Sequence, residues 1–253
     1  MRVVALLSGG KDSVYNTLIC KREGHEIVCV LNLRTPGEKD SYMYQYAGNS
    51  LVRDIAECMG VPYEQRTTSG VSLNRDLEYR ATEEDEVEDL FAALGELKKK
   101  YALEGVSVGA IKSSYQNNRV NDVCRRLGLV PLAYLWNRNQ KELLREMIGS
   151  GMRSVMVKSG ERPLTELVGR DLCEIYSVYE EHVEKEIEKS RGALKEEDFN
   201  MCGEGGEYET ITLDCPIFMK RIVLTDSEVV RDGTGVCTLK INQYRIEDKL
   251  KVC

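Results

Sequence analysis

Short apolar segments alternate with longer segments of helical spacing through the first half of the chain. The apolar segments predict strands at 3–7, 27–33, 63–67, 107–111 and 132–135. The segments between them predict helices at 13–23, 41–59, 83–100 and 117–127. Three of these helices stop at a glycine, namely Gly24, Gly60 and Gly128. Strands separated by helices of this length predict an α/β fold with a parallel sheet covered on both faces.

The pattern changes in the second half of the chain. Helices are predicted at 140–148 and 172–190, and strands at 153–157, 209–213, 218–224, 228–230 and 236–246. Runs of helices followed by strands are typical of a smaller α+β unit. We therefore expect two domains, 1–136 and 137–253, with the boundary just after Trp136.

A glycine-rich segment at 8–13 joins the first strand to the first helix. Its glycines allow a sharp turn and a close approach to a ligand, and the helix N-terminus presents free N–H groups to an anion. Ser8 and Ser13 add hydroxyl donors, and Lys11 adds a positive charge. Asp12 can cap the helix or help to hold Mg²⁺ beside phosphates. The predicted phosphate-binding residues are Ser8, Gly9, Gly10, Lys11, Asp12 and Ser13.

This segment lacks the spacing of a Walker A loop. It resembles the PP-loop signature Ser-Gly-Gly-x-Asp-Ser of the ATP pyrophosphatase superfamily. The resemblance implies a Rossmann-like parallel sheet of the PP-loop or HUP type, which holds ATP and cleaves it between the α and β phosphates. Ligands of such sheets bind at the carboxyl ends of the strands, so we expect Leu31 and Asn32 beside the adenine.

A second glycine-rich segment, at 203–209, carries three carboxylates within six residues. Glu204, Glu207 and Glu209 repel one another, so a compact turn here favours a bound cation such as Mg²⁺, ammonium or a charged substrate group. An exposed acidic turn before a strand is the alternative.

Together with other segments, this one carries a more specific resemblance. The segments are MRVVALL at 1–7, DSYMYQ at 40–45, DEVEDL at 85–90, GVSVGAI at 105–111, PLAYLW at 131–136, GEGGEYET at 203–210 and LDCP at 213–216. In this order they resemble the diphthine–ammonia ligase family, the ATP-dependent diphthamide synthetases, over nearly the whole chain. Some fungal relatives carry extra C-terminal domains, and we expect none after Cys253.

The resemblance implies a substrate, a reaction and a site. ATP would adenylylate the carboxylate of diphthine on translation elongation factor 2, and ammonium would supply the nitrogen of diphthamide, with release of AMP and pyrophosphate. The implied catalytic residues are Lys11, Asp12, Arg119, Glu204 and Glu207, with Asp12 also a metal ligand. The implied substrate residues are Tyr42, Tyr44, Tyr115, Gln116, Gly205, Gly206, Tyr208 and Glu209. Arg119 as a solvated side chain, and Tyr42 and Tyr44 as helix packing, remain open.

The composition of the chain disfavours some kinds of partner and some cellular locations. A net charge of −7 disfavours nucleic acid as a partner, and no apolar run is long enough to cross a membrane. The apolar start at 1–7 predicts a buried strand rather than a secretory signal. Nine cysteines without a Cys-x-x-Cys pair indicate reduced thiols in a cytoplasmic enzyme. Two other functions stay open: a PP-loop enzyme that modifies tRNA, and a nucleotide-binding module without catalysis.

Overall fold

The first half of the chain folds around a parallel sheet. The computed structural model describes residues 1–35, 43 and 49–249. Its first five strands are β1 (Arg2–Leu6), β2 (Glu26–Arg34), β3 (Tyr63–Thr67), β4 (Gly105–Ser107) and β5 (Val130–Leu132). They pair in the order β3-β2-β1-β4-β5, and every pairing is parallel. This confirms the predicted Rossmann-like α/β fold, with a change of winding direction next to β1.

Helices cover both faces of this sheet. They are α1 (Lys11–Arg22), α2 (Val52–Met59), α3 (Glu86–Tyr101) and α4 (Ser114–Leu127). Asp85 caps α3 by accepting from the Val87 N–H, and Ser113 caps α4 by accepting from the Gln116 N–H. Of the predicted helix at 41–59, only its end corresponds to α2, and most of 41–48 lies outside the described residues.

The second half forms an α+β unit, as predicted, and its strands make an antiparallel sheet. The helices are α5 (Gln140–Gly149) and α6 (Leu172–Lys189), and the strands are β6 (Arg153–Ser159), β7 (Tyr208–Asp214), β8 (Lys220–Arg231) and β9 (Cys237–Asp248). The strand order is β7-β6-β9-β8. Strands predicted separately at 218–224 and 228–230 are one strand, β8, because shifts of register near Asp226 let it continue along β9.

Two other strand predictions were wrong in their extent. The strand predicted at 107–111 ends at Ser107, because residues 108–110 leave the sheet and line a cavity next to α1. The strand predicted at 132–135 is β5 at Val130–Leu132, and it includes Pro131. Proline is tolerated there because β5 lies at the edge of the sheet and pairs only with β4.

Apolar packing is continuous from one sheet to the other. One cluster of buried residues includes Val3 and Leu18 from the first half and Ile211 and Leu213 from β7. A second cluster packs the opposite face of the parallel sheet against α3 and α4. The domain boundary at 136 and 137 remains a prediction. Within the described residues, no helix is long and apolar enough to cross a bilayer.

Candidate nucleotide and substrate site

The predicted phosphate loop lies at the carboxyl end of β1, at the start of α1. Gly9 has a φ of 92°, which a residue with a Cβ rarely adopts. Gly10 is the extended N-cap of α1, and the Ser13 hydroxyl donates to the Gly10 carbonyl at 3.0 Å. The N-terminus of α1 therefore lies at the centre of the sheet edge, where this class of fold binds anions.

Strand β7 of the antiparallel sheet forms hydrogen bonds with the phosphate loop. The Thr212 N–H donates to the Gly9 carbonyl at 2.9 Å, and the Lys11 N–H donates to the Thr210 hydroxyl at 3.0 Å. Thr210 and Thr212 are both buried. The second half of the chain thus sets the position of the loop supplied by the first half.

The second glycine-rich segment folds into a compact turn before β7. The Glu207 carboxylate accepts from the Gly205 N–H at 2.9 Å and from the Asn200 side chain at 2.7 Å. Gly203 has a φ of 74°, and a Cβ there would lie 2.8 Å from the Tyr208 carbonyl oxygen. The close return of the chain beside Tyr208 requires a glycine at this position.

Glu204 points out of this turn toward the parallel sheet. Its carboxylate accepts from the Ile111 N–H at 2.9 Å and, at 3.4 Å, from the Lys112 N–H. These donors follow β4, so the carboxylate lies at the same sheet edge as the phosphate loop. The two glycine-rich signatures, almost 200 residues apart in the sequence, are neighbours in space.

A cavity of about 370 Å³ lies where the two signatures meet. This volume falls within the usual range for small-molecule sites. The residues from the predicted site that line it are Ser8, Asp12, Ser13, Leu31, Asn32, Gln116 and Glu204. Gly109, Ser113 and Gly203 also line it, together with apolar residues of β1, β2, α3 and α4. Polar groups line the cavity near the phosphate loop, and apolar side chains of β1, β2, α3 and α4 line the rest of it.

Carboxylates in this cavity carry perturbed pKa values. Burial raises the pKa of Glu204, and the negative charge of Asp12 raises it further. Burial also raises the pKa of Asp12 more than the neighbouring Lys11 ammonium lowers it. Perturbed carboxyl groups gathered in one cleft are typical of a functional site.

Three predicted residues line the cavity away from the phosphate loop. Asn32 is buried, and its side-chain amide donates to the Leu7 carbonyl at 2.9 Å, which ties β2 to the start of the loop. Leu31 lies beside it on β2, and Gln116 lies on the first turn of α4. Their predicted contacts with adenine and substrate remain predictions.

Other predicted residues lie around the cavity rather than on its wall. Tyr208 is buried under the turn, with its hydroxyl donating to the Met201 carbonyl at 2.8 Å. Glu209 accepts from Lys158 at 3.0 Å, whereas Gly205 and Gly206 are exposed on the turn. Tyr42 and Tyr44 lie outside the described residues.

Arg119 lies on α4, and no part of it is exposed. Its guanidinium donates to the Asn74 carbonyl at 2.6 Å, the Asp76 carbonyl at 3.1 Å and the Tyr115 carbonyl at 3.1 Å. The guanidinium also lies 3.2 Å from the centre of the Tyr115 ring. Arg119 therefore anchors the loop before α3, and its predicted role toward phosphate or substrate remains a prediction.

Sequence reasoning missed several residues that shape this site. A Cβ on Gly109 would lie 2.7 Å from both the backbone N and Cα of Ser13, so only glycine lets this segment approach α1. Gln140 accepts from the Cys202 N–H at 2.8 Å and donates to Asn200 at 3.0 Å, which fixes the second turn. Gly109 stood inside a segment predicted as strand, and a glycine there is itself a signal of close backbone approach.

The fold and the site define an α/β protein of the nucleotide-binding class, with a glycine turn and a cavity at the carboxyl edge of its parallel sheet. A model of the diphthamide synthase N-terminal domain matches residues 1–131, and one of the diphthamide synthase C-terminal domain matches residues 165–245. The chain belongs to the diphthamide synthase family.

Curated relatives agree with these matches. The chain is 45% identical over 262 residues to the diphthine–ammonia ligase of Mus musculus, covering 99% of this chain and 94% of that one. It is 45% identical over 264 residues to that of Danio rerio, covering 100% and 99%. With the human protein the identity is 44% over 264 residues, covering 99% and 94%. These matches confirm the family resemblance drawn from the motifs.

The chain is also similar to solved structures. One of them is described as a predicted subunit of tRNA methyltransferase from Methanocaldococcus jannaschii DSM. The match covers 85% of this chain and 98% of that one, with 16% identity and a TM-score of 0.36. A likeness this weak carries no functional conclusion.

Proposed function

We propose that this chain uses ATP and ammonium to convert diphthine on translation elongation factor 2 into diphthamide, releasing AMP and pyrophosphate. One observation carries the proposal. The phosphate loop and the turn that bears Glu204 line the same cavity, although residues 12 and 204 are far apart in the sequence. Membership of the diphthamide synthase family supports the substrate and the bond formed.

In this proposal the loop at 8–13 binds the triphosphate of ATP. Its backbone N–H groups and the hydroxyls of Ser8 and Ser13 would hold the phosphates, with adenine beside Leu31 and Asn32. The carboxylate of diphthine attacks the innermost phosphorus, and pyrophosphate leaves. Ammonia then displaces AMP from the acyl-adenylate, since a carboxylate and ammonia do not condense readily in water. The protein contributes positioning and charge stabilisation.

The residues around the loop fit a magnesium ion. Asp12 Oδ1 is buried and has no hydrogen-bond partner among the described residues. Those residues contain no cluster of three or more histidine, cysteine or acidic side chains that could hold a metal by itself. Mg²⁺ typically takes one or two carboxylates and completes its shell with phosphates and water. Asp12 would hold the ion, whose chemistry is to neutralise charge on the phosphates.

Glu204 is the group that we assign to ammonium. Its carboxylate lines the cavity, and its backbone donors after β4 fix its direction. Ammonium must lose a proton before it can attack, and the raised pKa of Glu204 makes this carboxylate a better proton acceptor. In this proposal Glu207 and Tyr208 fix the shape of the same turn, which lies beside the trimethylammonium group of diphthine.

We infer that the protein acts in the cytoplasm, where its protein substrate and reduced thiols belong. Seven of the eight described cysteines are buried, and all eight are free. Two other functions remain as outcomes of the test. An enzyme that modifies tRNA would bind tRNA in a salt-sensitive manner, and a module that only binds nucleotide would release no pyrophosphate.

The test uses the full chain with ATP, Mg²⁺, ammonium and an elongation factor that carries diphthine. We expect the carboxylate to become an amide, as read by mass spectrometry of the modified peptide, and one AMP to appear for each amide. Formation of ADP would contradict the proposed bond cleavage, and absence of amide would contradict the proposed substrate.

A matched set of glutamate variants tests the assignment of the turn. We expect Glu204→Gln to lower the rate about 100-fold, the lower range for losing a positioned general base. Glu207→Gln should raise the concentrations of diphthine and ammonium that are needed, because the turn loosens when a carboxylate oxygen is lost. Glu184→Gln, exposed on α6, is the control. Unchanged turnover of Glu207→Gln at low diphthine and low ammonium would remove the turn from the substrate site.

A further inference from the structure

Lys11 belongs to the phosphate loop by sequence, but its side chain turns away from the cavity. The side chain is only 3% exposed, and it does not line the cavity that Ser8, Asp12 and Ser13 share. Its ammonium donates to the Cys202 carbonyl oxygen and, at 2.9 Å, to Asp12 Oδ2. Both acceptors belong to the protein, so two of the three N–H groups of the ammonium are used within the fold.

The environment of this ammonium favours its charged form. The ammonium lies 4.9 Å from the centre of the Tyr208 ring, so an aromatic face adds to the two oxygen acceptors. A buried ammonium is costly unless it is paired in this way.

The acceptor on Cys202 lies two residues before Glu204. Cys202 is buried, and its N–H is held from the other side by the Gln140 side chain at 2.8 Å. The position of Glu204 in the cavity therefore depends on two hydrogen bonds that fix Cys202, one from Lys11 on α1 and one to Gln140 on α5.

We propose that Lys11 is a positioning residue that joins the two glycine-rich signatures, and that it is not a ligand of the ATP phosphates. Its ammonium holds the turn at 202–204 against the phosphate loop, so that Glu204 and Asp12 face one cavity. This inference rests on the proposed function. Lys11 is then needed for amide formation, which uses both halves of the site, and not for the binding of ATP.

Lys11→Met keeps an unbranched side chain one atom shorter than lysine and removes its charge. We expect kcat for amide formation to fall about 100-fold, a loss that small misplacements in an active site can cause. The Kd for ATP, measured by titration calorimetry on the same full-length protein, should change by less than about threefold. A phosphate ligand would instead cost about 10- to 100-fold in ATP affinity, because a hydrogen bond to a charged group is lost.

Lys11→Arg separates the two roles in a second way. Arginine also binds phosphate, through its charged guanidinium. Lys11 is buried, and a planar guanidinium differs in shape from the ammonium that makes its two contacts, so we expect kcat to stay low and ATP binding to stay intact. Lys185→Met, which removes an exposed ion pair with Glu181 on α6, is the control and should match the wild type.

If circular dichroism shows that the Lys11 variants do not fold, Gln140→Leu provides a second test of the inference. It removes the other hold on Cys202, and the same split between low kcat and unchanged ATP affinity is expected. A loss of ATP affinity of tenfold or more in Lys11→Met, or wild-type kinetics in that variant, overturns the inference. Failure of the wild type to form amide and AMP would instead overturn the proposed function.

Discussion

At the scale of single residues, the surroundings of a side chain decide its role more than its chemical type does. Arg119 and Lys11 are both cations among the predicted catalytic residues. Arg119 is directed at carbonyl groups of the loop before α3, and Lys11 at the carbonyl of Cys202. Glycines matter equally here, because at Gly109 and Gly203 the absence of a side chain allows two backbones to touch.

Gly109→Ala tests the contact between the segment after β4 and the phosphate loop. The new Cβ would meet backbone atoms of Ser13, which cannot turn aside as a flexible side chain can. We expect a loss of about 1–3 kcal/mol in the free energy of unfolding and weaker ATP binding. Thermal unfolding and calorimetry measure these. Gly149→Ala, with nothing within 4 Å of its Cβ, is the control, and equal behaviour of the two variants would disprove the contact.

At the scale of elements, β7 links the two halves of the site. It pairs with β6 in the antiparallel sheet, and its inner residues hold the phosphate loop at the end of β1. The turn that carries Glu204 leads directly into it. A displacement of β7 would therefore move both signatures, whereas a displacement of β3 or β5 would reach them only through neighbouring strands.

Thr210→Val tests the hold of β7 on the loop. Valine keeps the shape but removes the acceptor of the buried Lys11 N–H, and an unsatisfied buried donor costs about 1–3 kcal/mol. We expect lower thermal stability and a reduced rate of amide formation. Thr210→Ser, which retains the hydroxyl, should keep the wild-type stability and rate. Thr238→Val, at an exposed position of β9, should change neither the stability nor the rate. If serine and valine at 210 behave alike, the hydroxyl has no such role.

At the scale of the whole molecule, the apolar core does not divide between the two sheets. The same cluster contains Val3 of β1 and Leu213 of β7, so separation of the halves would expose apolar surface on both. The site depends on this continuity, since its two signatures come from different halves of the chain.

We therefore expect the full chain to unfold in a single cooperative transition. The only tryptophan, Trp136, is partly buried against the second apolar cluster, so its fluorescence reports on the parallel sheet. Far-UV circular dichroism reports on all elements, and the two denaturation curves should coincide. Two separate transitions would instead support independent folding of 1–136 and 137–253.

The sequence by itself determined the class of fold and the place of the glycine-rich turn between β1 and α1. Periodicity and glycine placement are local, because they depend on residues within one strand or one helical turn. The end of β4 and the environment of Arg119 could not be read in this way, since distant segments decide them. Only the tertiary structure brought Lys11 to Cys202 and Glu204 to Ile111, across 191 and 93 residues. Such contacts form when the core packs, so they cannot be predicted from the spacing of residues within one element.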